Sequence, residues 1–397
     1  MCKPYEPRKN SFIGRAFPHS LQCGNVITTL LGAVLLFVAN STAHAATLTK
    51  LASFKGTNGG GPQGRLILSG NTLYGTTSAG GAKNDGVIFS LPTTGGSPRV
   101  LASFSGTDGD DPQGLILSGN TLYGTTTFGG ARNRGVVFSL PITGGKVTVL
   151  ASFDGTDGAD PEAGLILSRH RLYGTTSGGG AHGDGVVFSL PVTGGKPVVL
   201  ASFNGTNGSD PGGRLTLSRG VLYGATKGGG VNDDGVVFSL PVAGGRPTVL
   251  ASFNGKDGST PYSGLTISGN TLYGTTAVGG VKGDGAVFSL PTTGGKITVL
   301  LSFNGPNGST PFGGLTVSGD VLYGATALGG TNGDGEVFSL TVNDGILSVL
   351  ATFNGTDESN PYTGLTLSGN TLYGTTMFGA AHEVGTVFSL SISKSRQ

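Results

Sequence analysis

The sequence predicts an all-β fold: a seven-bladed β-propeller of four-stranded antiparallel blades, closed by pairing of the N- and C-terminal strands. Three observations carry this expectation. Three aromatic series recur seven times each at intervals of 49 or 50 residues: Phe54 to Phe353, Tyr74 to Tyr373, and Phe89 to Phe388. Between them, short alternating stretches are separated by Gly-rich turns, and no segment shows the 3.6-residue period of a helix. The two ends of the repeat region are complementary fragments of one unit.

The fifth copy shows the elements. Gly264–Ser268 alternates as a first strand, and Gly269-Asn270 is a two-residue hairpin turn. Thr271–Thr276 forms a second strand, followed by a Gly-rich loop from Val278 to Asp284. Ala286–Leu290 is a third strand, Pro291–Gly295 turns the chain, and Ile297–Phe303 is a fourth. A polar loop with Asn304, Asn307 and Pro311 leads to the next copy. Four short strands per unit, repeated seven times, are the pattern of a propeller. Apolar residues lie on both pleat faces, as sheets covered on both sides require.

The ends exclude an open solenoid, which needs polar capping units. The repeat region begins with a fourth-type strand, Thr47 to Phe54, and ends with a third-type strand, Thr386 to Ile392. Pairing the two completes a seventh blade and removes two exposed edges.

Composition agrees and narrows the function. The chain has 397 residues, 76 of them Gly, with 12% charged residues and no Trp. A 36% hydrophobic share at regular spacing supports a packed core rather than disorder. Residues 1–45 differ from the rest and read as a signal peptide. Lys3, Arg8, Lys9 and Arg15 form a basic stretch, Val26 to Val38 an apolar run, and Ala43-His44-Ala45 a cleavage pattern. The expected mature protein starts at Ala46, is secreted or periplasmic, and spans 46–397 as one propeller domain. Removing the leader's four basic residues and one Glu from the 24 and 22 of the whole chain leaves 20 against 21. That balance supports neither nucleic-acid binding nor attraction to an anionic membrane. Both cysteines, Cys2 and Cys23, lie in the leader, which excludes disulfides, Cys-based zinc sites and a Cys nucleophile from the mature chain.

The repeated words Leu-Tyr-Gly-Thr-Thr, Gly-Gly and Gly-Val-Val-Phe-Ser-Leu resemble the GloVer-type tandem repeat of extracellular "choice-of-anchor" bacterial proteins. In the fifth copy they stand as Leu272 to Thr276, Gly279-Gly280 and Ala286 to Leu290, and the resemblance covers residues 48–392. It implies export, in relatives often combined with a C-terminal sorting anchor. This chain ends at Ser-Arg-Gln without an apolar segment, so release is expected. The strand order is also similar to that of kelch propellers, without their usual Trp.

If the first strand is innermost, the two longer loops of each unit share one face, where binding sites on a rigid scaffold concentrate. Nine residues after each marker Tyr stand Lys83, Arg132, His182, Asn232, Lys282, Asn332 and His382, all hydrogen-bond donors and candidate ligand-binding residues around the channel mouth. Two residues on come Asp85, Arg134, Asp184, Asp234, Asp284, Asp334 and Val384. Solvated loop tips are the plainer account of both series. The interblade loop carries Asn58, Asp108, Asp157, Asn207, Asp257, Asn307 and Asp357, with Asp111, Asp160 and Asp210 in three copies. Hard oxygens of this kind suit calcium, but the spacing is not that of an EF-hand, and Asx-turns explain it; no cofactor or metal is expected. Phe128, Tyr262, Phe312, Tyr362 and Phe378 are aromatics on the loop face suited to stacking on sugars.

Catalytic groups are sparse. The mature chain has only His170, His182 and His382, with no metal-ligand spacing, nucleophile elbow or phosphate loop. The expectation is therefore an exported, monomeric, non-enzymatic binding or scaffold module for an extracellular glycan or protein, without membrane insertion after cleavage. The alternative is a secreted propeller hydrolase or lyase with one site at the channel mouth.

Overall fold

The computed structural model describes residues 46–355, 358–379 and 384–392, so the expected signal peptide lies outside the described residues. All described secondary structure is β, arranged as seven four-stranded antiparallel blades. In blade 1 the strands run, from the axis outward, Ile67–Ser69, Thr72–Ala79, Val87–Pro92 and Arg99–Ser103. Blades 2 to 6 repeat this order, ending with the outer strand Leu347–Thr352.

Blade 7 is composite. Its inner three strands are Thr366–Ser368, Thr371–Thr376 and Thr386–Ser391, and its outer strand is Thr47–Ser53 from the other end of the chain. Thr47 faces Ser391 and Ser53 faces Thr386. The same ladder continues where Phe54 N–H donates to Gly385 O (2.9 Å), and the ring is closed a second time where Gly61 N–H donates to Val384 O (2.6 Å). At the other junctions the equivalent backbone bond recurs, as from Asp111 N to Asp85 O and from Thr260 N to Asp234 O.

A bulge in the outer strand adds a further tie. Ile88 pairs with Ala102 and Phe89 with Val100, so Leu101 is skipped and its carbonyl is released from the ladder. That carbonyl accepts from Gly145 N in the next blade, and Leu51, Leu150, Leu200 and Leu250 do the same toward Gly96, Gly195, Gly245 and Gly295.

The core lies between blades. The first and third aromatic series meet inside each repeat: Phe54 and Phe89 pack edge to face at 4.9 Å, and the equivalent pairs at up to 5.4 Å. Edge-to-face contact suits the ring quadrupoles. The glycine after each marker Tyr is required by this packing, because a Cβ on Gly274 would sit 2.6 Å from Phe288 Cζ and 2.9 Å from Leu265 Cδ2. Threonine hydroxyls then stitch neighbouring blades, as from Thr76 Oγ1 to Gln113 O (3.0 Å) and from Thr125 Oγ1 to Ala163 O (2.8 Å).

The inner strand is shorter than its sequence pattern suggests. In blade 5 it begins at Thr266, not Gly264, and Ser259 makes an isolated bridge to Val278. Between the two pairings the chain leaves the sheet at Thr260–Leu265. Pro261 has no N–H to give a ladder, and Thr260 adopts a left-handed φ of 55°. This break presents the residue after the proline to the central channel.

Candidate functional site at the channel mouth

The channel opens among the residues that follow the repeated prolines. Gln63, Glu162, Gly212, Tyr262, Phe312 and Tyr362 hold that position, and in blade 2, which is one residue shorter here, Gln113 stands in it. With the strand-start residues below them, they line a cavity of about 410 Å³. The seven repeats are far from alike at this point: three neighbouring blades contribute aromatics, and the others glutamines, a carboxylate and a glycine.

The aromatics form one shelf. Phe312 and Tyr362 stack with ring centroids 4.4 Å apart and planes 28° from parallel. Tyr262 meets Phe312 edge to face at 5.3 Å and Tyr362 at 6.1 Å. Lys227, which follows the second strand of blade 4, reaches over Gly212, where a Cβ would lie 2.2 Å from its Cε. Its Nζ stands 4.6 Å from the Tyr262 centroid, 3.0 Å from Asp210 Oδ1, and in contact with Glu162 Oε2. A cation over an aromatic face is held by the ring quadrupole. The absence of a side chain at Gly212 is what makes room for it.

Beside this cluster, Gln113 donates through Nε2 to Thr127 Oγ1 (2.8 Å) and to Asp111 O (3.2 Å), and contacts Gln63 Oε1 (3.4 Å). Burial pushes both tyrosine hydroxyls above the ordinary range, with the Glu162 carboxylate adding to the effect on Tyr262 and the neighbouring Tyr262 to that on Tyr362. Both remain neutral donors at physiological pH. Burial opposes the charge on Lys227, but Glu162 and Asp210 outweigh it and raise its pKa. The mouth thus pairs an apolar stacking surface with fixed carboxylate, amide and hydroxyl groups, the combination common in small-molecule sites.

The donor series nine residues after each marker Tyr lies elsewhere on the loop face. Lys83, Arg132, His182, Asn232, Lys282 and Asn332 are exposed and do not line the channel, and His382 lies outside the described residues. Asn232 and Asn332 donate through Nδ2 to Phe253 O and Phe353 O, just beyond the outer strands, which places them toward the rim. The interblade Asx series has backbone partners: Asn58 Oδ1 accepts from Lys55 N, Asp108 from Ser105 N, and Asp257 from Asn254 N. Among the described residues no group of three or more His, Cys, Asp or Glu is placed to hold a metal.

Of the five loop-face aromatics, Tyr262, Phe312 and Tyr362 converge, while Phe128 and Phe378 occupy a different register, at or just beyond the end of the second strand. Lys227 and Glu162 were not singled out by the sequence. Their signal was there in the departures from consensus at two aligned positions: Lys227 where other copies have Ser, Thr, Ala or Met, and Gly212 among large residues.

The fold and the mouth define a seven-bladed propeller with a pocket at one end of its channel. The Gloeobacter/Verrucomicrobia repeat model matches residues 36–222 and again 171–388, and the chain belongs to that repeat family. No curated protein matches it. Among solved structures it is similar to the computationally designed protein Ika8, at TM-score 0.53 and 17% identity over 86% of this chain and 99% of that one. It is similar to the extracellular domain of a candidate hybrid two-component system protein, BT4673, from B. thetaiotaomicron, at TM-score 0.59 and 10% identity over 88% of this chain and 40% of that one. A candidate 6-phosphogluconolactonase from Bacteroides uniformis aligns at TM-score 0.52 and 15% identity, over 80% and 98%. At these identities the likenesses concern the fold alone.

Proposed function

We propose that the chain is a non-enzymatic binding module that takes a sugar unit of a glycan at the channel mouth, outside the cytoplasm. One observation carries the reading: the stacked Phe312–Tyr362 pair with Tyr262 beside it, sharing one cavity with Glu162, Gln63 and Gln113. The C–H face of a pyranose packs on such rings, and its hydroxyls bond to carboxylates and amides. Lys227 neutralises the Glu162 and Asp210 carboxylates in part and holds Glu162 at the cavity wall. The leader pattern in residues 1–45 supports the extracytoplasmic setting, which mass spectrometry of the exported protein tests through cleavage before Ala46.

A glycan array tests the binding role. The chain should retain a defined set of glycans that the Phe312→Ala/Tyr362→Ala variant does not. An array without hits, or identical hits for both proteins, rules the reading out.

A further inference from the structure

We propose that the channel below the mouth holds an oxyanion, gripped between Arg65 and Arg214. Each arginine directly precedes the buried leucine just before the inner strand, Leu66 or Leu215. The other five blades have glycine there: Gly114, Gly164, Gly264, Gly314 and Gly364. These glycines pack the inner segments closely: a Cβ on Gly364 would lie 3.0 Å from Gly314 O and 3.6 Å from Arg65 Cδ. Two long cations therefore occupy an otherwise small-residue waist.

Blades 1 and 4 are three steps apart in a ring of seven, about 150° around the axis, so the two arginines approach from nearly opposite sides. Both line the same cavity. Each is anchored through Nε alone, Arg65 to Thr366 Oγ1 (3.4 Å) and Arg214 to Leu165 O (3.1 Å). Among the described residues, neither makes an ion pair and the terminal guanidinium nitrogens have no protein acceptor. Glu162, the carboxylate that lines the cavity, is taken by Lys227 together with Asp210.

The surroundings disfavour two unneutralised charges. Both side chains are exposed to the channel, and the protein around it, together with the charge of Arg214 beside Arg65, lowers Arg65 to about 10 and also lowers Arg214. An oxyanion between them would cancel the repulsion and accept the free N–H pairs in the forked geometry a guanidinium offers. Sulfate, phosphate or a carboxylate shares this chemistry, free in solution or carried on a sugar seated at the mouth.

The test is thermal unfolding and calorimetric titration of the chain with sodium sulfate against sodium chloride at matched ionic strength. Arg65→Gly and Arg214→Gly install the residue that five blades already carry, and circular dichroism verifies their fold. Sulfate should raise the Tm of the parent. Each single variant should lose affinity by at least about tenfold, and the double variant should lose the response. Phe312→Ala should keep it, which separates this site from the sugar reading. Without sulfate, each single variant should melt at or above the parent because the like-charge repulsion is gone. Glucose 6-sulfate binding at least about tenfold tighter than sulfate, with loss in Phe312→Ala, identifies a sugar-borne anion; equal affinity identifies the free ion. No sulfate response in the parent, or an undiminished response in the double variant, overturns the proposal.

Discussion

Lys227 Nζ lies 4.6 Å above the ring of Tyr262, joining the carboxylates of blades 3 and 4 to the aromatic shelf of blades 5 to 7. The contact makes the mouth one electrostatic unit. Lys227→Met should cost about 2 kcal/mol, because Glu162 and Asp210 then face each other without a cation. The lysine's pKa is raised in the fold, so its contribution is present below the ordinary lysine value and is lost as pH rises above it. Melting curves of the parent and variant should therefore converge only at strongly alkaline pH.

Glu336 should make the protein less stable as pH rises. It occupies the position held by Val87, Val136, Val186 and Val236 in other blades, is fully buried, and is pushed by burial to about 7. The native state thus holds its proton more tightly than the unfolded chain. The stability this confers is complete below the ordinary Glu value and disappears as pH climbs through about 7. Glu336→Val should raise stability by roughly 2–3 kcal/mol at about pH 8, and little at about pH 4. Denaturant titrations at the two pH values read this out.

The composite blade should depend on its N-terminal strand. Removing residues 46–53 exposes Thr386–Ser391 as an edge and takes away Ala52, one of the buried core residues. A lower Tm and self-association on size exclusion are expected, with recovery on adding a peptide of residues 46–53. A monomer of unchanged Tm would contradict closure by this strand.

Gly274→Ala should destabilise by about 2 kcal/mol, since the new methyl meets Phe288 and Leu265 on both sides. Gly295→Ala should fail for a different reason: nothing lies within 4 Å of its Cβ, but its φ is 130°. Comparing the two separates packing from backbone conformation.

The blades were legible because their determinants repeat. Equivalents of Phe253, Tyr273 and Phe288 mark every copy, and Gly274 is explained by Phe288 and Leu265 packed against it. The blade 7 pairing was legible because Thr47–Ser53 and Thr386–Ser391 are each other's missing half. The mouth was less legible because it is built from departures from the repeat. Lys227 follows a second strand, Asp210 precedes a proline, and Tyr262 follows one; only the break in the inner strand at Thr260–Leu265 brings such positions together. The hydrogen-bond donors common to the copies, Lys83, Arg132, His182 and their equivalents, are exposed on loops that do not line the channel.

The proposed sugar site lies at the axis and not at the rim. Calorimetric titration of one array-positive glycan into three proteins tests it most directly: the parent, Phe312→Ala/Tyr362→Ala, and the quadruple alanine variant at Lys83, Arg132, His182 and Lys282. Binding at the axis predicts at least about a tenfold loss of affinity in the aromatic variant, or roughly 1.4 kcal/mol, and parental affinity in the loop variant. Parental affinity in the aromatic variant with loss in the loop variant would contradict it.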